Sequence, residues 1–319
     1  MLVAIAGGVG AARLLAGVVR VTDPAGVTVV VNTGDDMVLH GLHISPDIDT
    51  ITYTLAGMDN RQTGWGLAGE TWTVMDALGD LGGEDWFRLG DRDLATHLYR
   101  SQRLSEGAPL SQVTAELAER RRIGVRLLPM SDDPVATRLT LSGGSPEGPA
   151  DRTARREVAF QEYFVRLGHA VAVEAVRFSG AESARPGPGV LEAIAAADVV
   201  IGCPSNPIIS VAPVLAVPGI REALRARRHR VVAVSPIVAG AALKGPADRL
   251  MTELGHECSV VGVARLYADW VGTLVIDEED AGLAPAVEAE GVRCVVAPTV
   301  MSTEERAAAL ASVVLDAVG

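Results

Sequence analysis

Aromatic residues are scarce in this chain, only 4% of 319 positions, although apolar residues as a whole make up 48%. The hydrophobic load falls on Ala, Val, Leu and Gly, which suit helices packed closely on a parallel sheet better than an aromatic-rich β-sandwich. Cysteine is scarcer still. Cys203, Cys258 and Cys294 lie far apart with no Cys-x-x-Cys pair, which argues against a redox motif or thiolate metal site and for buried free thiols. Positive charge is in deficit: 28 Lys and Arg against 40 Asp and Glu give a net charge of −12. Such a surface disfavours nucleic acid and anionic membranes as partners, yet leaves room for a nucleotide in a local basic or amide-lined pocket. A membrane span is not expected either, because Pro204, Asn206, Pro207, Pro213 and Pro218 break the apolar stretch from Val199 to Ile220. The opening apolar run lacks a basic leader and is cut by Gly7, Gly8 and Gly10. A cytoplasmic protein is expected.

Known catalytic signatures are missing too. No Gly-x-Ser-x-Gly elbow and no His-Glu-x-x-His helix occurs, so serine hydrolase and zinc protease readings lack support. No internal repeat is visible.

What remains is a strong α/β pattern. Leu2 to Ala6 form a short strand ending in a glycine turn, Ala11 to Val19 a helix, and Val27 to Val31 a second strand ending in Asn32-Thr33-Gly34-Asp35-Asp36. That is how a doubly wound nucleotide-binding sheet begins. Helices are then expected over Glu70–Leu81, Asp91–Leu104 and Ser111–Arg122, with Asp91 and Ser111 as caps and Leu94 and Leu98 on one face. Strand-like runs return at Val135–Leu141 and Val171–Phe178, with a surface loop at Gly143–Asp151. A helix at Leu191–Ala197 leads into strands at Asp198–Gly202, Val231–Val234, Val260–Val263, Leu274–Ile276 and Val292–Ala297, and a closing helix begins at Thr303. The expected architecture is a Rossmann-like, doubly wound, mostly parallel sheet. Residues 1–57 and 131–319 form the nucleotide-binding core, and 58–130 a helical insertion or cap.

Ligands of such sheets bind at the carboxyl ends of the strands, and four segments there can carry chemistry. In Gly7-Gly8-Val9-Gly10-Ala11-Ala12-Arg13, glycines admit a phosphate to backbone N–H groups at a helix N-terminus, and Arg13 can add a cation. It is no dinucleotide fingerprint, since Arg13 replaces the third small residue and Asn32 stands where an acid would hold a ribose. The second segment crowds Asp35, Asp36, Asp47 and Asp49 into fifteen positions. Like charges gathered so closely call for a counter-ion, and hard oxygen ligands suit Mg²⁺. His40 and His43 lie between them, but an oxygen-rich set without cysteine does not favour zinc. Third, Trp86-Phe87-Arg88 can receive a planar ring and its polar edge, or simply pack as core aromatics below a solvated Arg. Fourth, Cys203-Pro204-Ser205-Asn206-Pro207 and the stretch from Ser235 to Gly240 follow buried strands. The second leads to Lys244, which suits a phosphate, although the spacing is too short for a P-loop.

Taken in order, these segments resemble the 2-phospho-L-lactate transferase family, called CofD in archaea and FbiA in actinobacteria. The resemblance spans almost the whole chain. It rests on Ala6 to Arg13, Asn32 to Asp36 with His40-Gly41-Leu42, Ser45 to Thr50, Gly64-Trp65-Gly66, Glu70-Thr71-Trp72, Trp86 to His97, and Cys203 to Pro207. It implies transfer of a phospho-acid from a guanosine-diphosphate-linked donor to the ribityl hydroxyl of the deazaflavin Fo, with Mg²⁺, releasing GMP. The acid is lactyl in archaeal relatives and enolpyruvyl in actinobacterial ones, giving dehydro coenzyme F420-0; the richness in Ala, Val, Arg and Gly favours the latter. By position, Asp49 and Arg88 match the family's Fo-contacting residues. Gly8, Gly10, Arg13, Ser205, Asn206 and Lys244 would hold the guanine nucleotide, and Asp35, Asp36 and Asp47 the Mg²⁺, with Asp36 and Asp49 catalytic. The insertion would cover the acceptor site, and a homodimer is implied. The alternative is a nucleotide-sugar-binding regulator of a related, non-catalytic group.

Overall fold

A computed structural model of the chain describes residues 1–61, 65–142 and 155–318. Strand β1 (Leu2–Ala6) and strand β2 (Val27–Val31) are buried at every position, as strands covered on both faces must be. Helix α1 (Gly8–Val21) joins them. A hairpin of β3 (Met37–Leu39) and β4 (Leu42–Ile44) follows, then α2 (Pro46–Leu55), α3 (Thr73–Asp80), α4 (Asp91–Ser105), α5 (Leu110–Arg121) and β5 (Arg126–Pro129). Strands β6 (Ala136–Leu141), β7 (Arg156–Ala159) and β8 (Val173–Ser179) form a separate antiparallel sheet in the order β7-β6-β8. Beyond it come α6 (Val190–Ala196), β9 (Val199–Gly202), α7 (Ala212–Ala216), α8 (Ile220–Ala226) and β10 (Val231–Val234). A short hairpin of β11 (Ile237–Val238) and β12 (Ala241–Ala242) leads to α9 (Ala247–Glu253) and α10 (Val260–Tyr267). The chain closes with β13 (Thr273–Ile276), α11 (Ala284–Ala289), β14 (Arg293–Val296) and α12 (Glu304–Asp316).

Seven strands pair in parallel in the order β14-β13-β10-β9-β1-β2-β5. The chain winds outward from β1 through β2 to β5, then returns to β9 on the other side of β1. The winding direction therefore reverses between β1 and β9, where an open α/β sheet leaves its ligand crevice. This is the Rossmann-like, doubly wound sheet expected from the sequence.

Several local expectations are corrected. Val260–Val263 is not a strand but the start of α10, with Ser259 Oγ accepting from Gly262 N at 3.1 Å. A short apolar run cannot by itself distinguish a buried helix from a buried strand. Residues 126–129 lie inside the stretch assigned to the insertion, yet form the edge strand of the main sheet; the helices α3 to α5 are thus a long crossover from β2 to β5. Leu98 is 57% exposed, and α4 instead buries Thr96, His97 and Arg100. Asp91 does not cap its own helix. It accepts from Thr73 N and Val74 N at the start of α3, while Glu70 accepts from Arg92 N and Asp93 N at the start of α4. The first helix of the crossover begins at Thr73 and not at Glu70, which is occupied in that exchange. Ser111 likewise donates its N–H and hydroxyl to Asp132, which caps α5. The loop at Gly143–Asp151 and Gly64 lie outside the described residues.

Helices α1 and α12 cover one face of the sheet and meet at Gly17, where an added Cβ would stand 2.2 Å from the Ala307 carbonyl oxygen. Gly17→Ala should force the helices apart and cost about 1–3 kcal/mol, read as a lower melting temperature. An unchanged melting temperature would show that the helix pair has slack.

Candidate active site

The loops after β1, β2 and β9 converge with the N-terminus of α2. Gly7 enters α1, and its N–H and carbonyl are clamped by the Ser205 hydroxyl, which accepts from Gly7 N at 3.2 Å and donates to Gly7 O at 2.8 Å. A Cβ on Gly7 would lie 2.6 Å from Asp47 Oδ2. Gly8 has φ +75° with open space where its Cβ would be, and its N–H donates to Asp47 Oδ1 at 2.7 Å. Asp47, the second residue of α2, therefore occupies the N-terminal end of α1. Gly10 has a different reason to be glycine: its Cβ would strike the Pro204 carbonyl at 2.4 Å.

Around this turn the carboxylates are gathered as the sequence suggested, and the structure adds their partners. Asn32 Nδ2 donates to both Asp35 Oδ1 and Asp47 Oδ2 at 2.9 Å, and Gln161 Nε2 donates to Asp35 Oδ2 at 3.3 Å. The Ser45 hydroxyl donates to Asp36 Oδ2 at 2.7 Å, while Asp36 Oδ1 is shielded from solvent without a partner. Asp49 gives both oxygens to Arg100, which donates NH1 to Oδ2 at 3.0 Å and NH2 to Oδ1. A second buried layer lies behind it. The His97 ring sits with Nε2 3.2 Å from Asp93 Oδ2, and the Tyr53 hydroxyl donates to Asp93 Oδ1 at 2.5 Å.

Burial and mutual repulsion show in the acidities. Asp35 is pushed well above the ordinary carboxylate range by burial, and then by the charges of Asp47 and Asp36. Burial lifts Asp47 to about 6, with the Asn32 amide and Gly8 N–H pulling the other way. Asp36 is raised by burial, opposed by the Ser45 hydrogen bond and the charge of Arg100.

The remaining sequence candidates lie in other settings. Arg88 is exposed, donates to Asp76 at 2.6 Å and stacks over Trp72 at 5.3 Å; no ion pair joins it to the four carboxylates among the described residues. Asn206 accepts from Ile208 N and Ile209 N, capping the turn after β9. Arg13 and Lys244 are exposed. The stretch before Lys244 is no phosphate loop: Ala239 (φ +50°) and Gly240 (φ +75°) turn the β11–β12 hairpin. His40 (φ +53°) and Gly41 (φ +75°) do the same between β3 and β4. Sequence reasoning missed Asn32, Ser45, Gln161, His97 and Arg100 as partners of the acids. One signal was available, since Asp93, His97 and Arg100 recur at i, i+4 and i+7. Nor does cavity size locate the site. A cavity of about 660 Å³ lies against β5 and α5, lined by residues such as Ser111, Gln112, Arg122, Arg126 and Pro188, and none of the four acids lines it. No single helix among the described residues is long and apolar enough to cross a membrane.

A pH test follows from the raised acids. Asp47 titrates near 6 when folded and near 3.8 when unfolded, and Asp35 is shifted the same way, so between those values the folded chain binds more protons. Stability must then rise as pH falls through about 6, and the gain is complete near the unfolded value. Asp35→Asn removes one charge, and Gln161 can turn its amide to accept from the new side chain. In metal-free buffer the variant should melt above wild type at about pH 7.5, with a margin that shrinks toward about pH 5. A margin independent of pH would contradict the upward shift that burial, and then the charge of Asp47, gives Asp35.

Comparison with known proteins completes the picture. Residues 2–308 match the family model described as 2-phospho-L-lactate transferase CofD. A phosphoenolpyruvate transferase of Kitasatospora aureofaciens is 46% identical over 317 residues, covering 98% of this chain and 96% of that protein. One from Streptomyces griseus is 45% identical over 318 residues, covering 99% and 97%. One from Mycolicibacterium smegmatis is 41% identical over 325 residues, covering 99% and 98%. Among solved structures, a UPF0052-family protein of Bacillus halodurans shares the fold, with a TM-score of 0.58 and 18% identity over 98% of each chain. Matched along almost its whole length, the chain belongs to the 2-phospho-L-lactate transferase CofD family.

Proposed function

We propose that the chain transfers a phosphoenolpyruvyl group from a guanosine-diphosphate-linked donor to the terminal ribityl hydroxyl of Fo, forming dehydro coenzyme F420-0. The observation that carries the reading is full-length similarity to proteins named phosphoenolpyruvate transferases, which favours the enolpyruvyl over the lactyl donor. The hydroxyl oxygen bonds to the phosphorus bearing the acid, the diphosphate bridge breaks, and GMP leaves. In such a phosphoryl transfer, positioning and charge neutralisation supply most of the catalysis.

The carboxylates suit Mg²⁺. Asp35 and Asp47 share one amide donor, the charge of Asp47 adds to the burial that raises Asp35, and Asp36 Oδ1 has no partner. Among the described residues no three His, Cys, Asp or Glu side chains are arranged to hold a metal ion. Mg²⁺ commonly takes only one or two carboxylates and fills its shell with substrate phosphates and water, so Asp35 and Asp47, with Asp36 at hand, would hold it. When bound it would neutralise charge on the diphosphate. The donor's phosphates would lie at the N-terminus of α1, beside Gly8 and Gly10, where backbone dipoles favour anions. Arg13, Ser205, Asn206 and Lys244 complete the proposed nucleotide side. Arg88 would meet the acceptor, and Asp49 would face it from α2. Asp36 is the proposed proton acceptor for the attacking hydroxyl. A cytoplasmic homodimer is the proposed working form.

Two tests follow. Asp36→Asn should keep the fold and lower kcat by about 10²-fold or more, since an amide is a poor metal ligand and no base. Full activity in that variant, or of wild type in excess EDTA, would defeat the assignment. Arg88→Ala should raise the Kd for Fo, followed by its fluorescence, by about ten- to a hundredfold, with GDP binding by calorimetry near wild type. If wild type binds a UDP-sugar and not Fo, with GDP and Mg²⁺ present, the regulatory reading replaces the transferase.

A further inference from the structure

Arg100 is hydrogen-bonded to the acid cluster through Asp49, yet it comes from the crossover and not from the sheet. It lies in the third turn of α4, fully buried, in a helix whose other buried residues are Thr96 and His97. Its NH1 donates to Asp49 Oδ2 at 3.0 Å and to the His43 carbonyl at 3.3 Å, and stands 3.3 Å from His97 Nδ1. Its NH2 donates to Asp49 Oδ1. Its Nε has no hydrogen-bond partner and is shielded from solvent. The one unpartnered oxygen of the neighbouring acids is Asp36 Oδ1.

Asp35, Asp36, Asp47 and Asp49 bring four carboxylates to one end of the sheet, and the only Lys or Arg hydrogen-bonded to any of them among the described residues is Arg100. Uncompensated buried carboxylates either recruit cations or take up protons. A guanidinium is permanently charged, cannot be lost to solvent, and grips a carboxylate with two parallel N–H donors. It can therefore hold, without exchange, the place that a second divalent ion would otherwise take.

We propose that Arg100 is a positioning residue of the transferase that serves as the fixed second cation of the acid cluster, so that the cluster accepts one divalent ion and not two. This rests on the reading of Asp35 and Asp47 as Mg²⁺ ligands. Asp49, neutralised by Arg100, is withdrawn from the metal and kept on α2, and Asp36 keeps one oxygen free. Because Arg100 is carried by α4, the cluster has its correct charge only when the crossover is docked on α2.

The test is a Mg²⁺ titration of the full chain, followed by calorimetry and by melting temperature. Wild type should bind one ion. Arg100→Gln should bind Mg²⁺ at least tenfold tighter or approach two ions per chain, and its melting temperature should depend on Mg²⁺ far more steeply. Its kcat should nevertheless fall, because a mobile hydrated ion does not hold Asp49 and Asp36 in place. Tighter metal binding with slower turnover is a combination that mere loss of structure cannot produce. If Arg100→Gln is unfolded in metal-free buffer, millimolar Mg²⁺ should restore the fold, and failure to do so would overturn the proposal. The pair Asp49→Asn with Arg100→Gln removes one charge of each sign and should return to one ion. A folded Arg100→Gln with wild-type Mg²⁺ stoichiometry and affinity would sink the role of Arg100 alone. Wild type that binds no Mg²⁺ would sink the metal reading on which it rests.

Discussion

Negative charge gathered where β1, β2 and α2 meet is the constraint that the surrounding structure answers. Four aspartates, three buried and Asp36 half-buried, cannot be gathered without help, and each neighbour supplies some of it. Asn32 bridges Asp35 and Asp47 with one amide, Gln161 adds a second donor to Asp35, Ser45 serves Asp36, and Gly8 offers Asp47 the first N–H of α1. Among the described residues, only Arg100 brings a full opposite charge into hydrogen bonding with them. Removing one partner of such a buried pair leaves a stranded charge, a loss of about 3–5 kcal/mol in comparable sites. That scale is a large fraction of a domain's net stability.

The same constraint explains the glycine turn. Glycines before a helix at the end of a first strand suggest phosphate binding, and the α1 terminus retains the dipole that would favour it. Yet Gly7 lacks a side chain because Asp47 and Ser210 stand in its way, and Gly10 because the Pro204 carbonyl does. The turn is small so that the loops of β1 and β9 can close on each other beneath the acids. A nucleotide arriving there would meet Asp47 already on Gly8 N–H.

Much of this was legible in sequence, and the exceptions have physical causes. The parallel core could be seen because β1, β2, β9 and β10 are short apolar runs between turns. Val260–Val263 has the same composition but is helical, since Ser259 caps it and composition does not fix the period. The crossover was misjudged where its helices bury polar residues: Leu94 does pack against a small apolar cluster, but Leu98 is exposed, and the fully buried side chains of α4 are Thr96, His97 and Arg100. Edge strand β5 escaped notice because only four residues are involved and they follow a helix directly. The acid cluster was visible as spacing. Its partners were not, because Arg100 and Gln161 lie 51 and 126 residues from the acids they serve.

The exchanged caps of α3 and α4 give the crossover a property that neither helix has alone. Glu70 precedes α3 but closes the start of α4, and Asp91 opens α4 but closes the start of α3. Fraying of one helix end removes the acceptor that steadies the other, so the two ends are tied into a single opening unit. Amide protons at the starts of both helices would then exchange with solvent at a common rate, set by one cooperative event. Since α4 also bears His97 and Arg100, loosening at this outer edge is transmitted along the helix to the ion pair with Asp49.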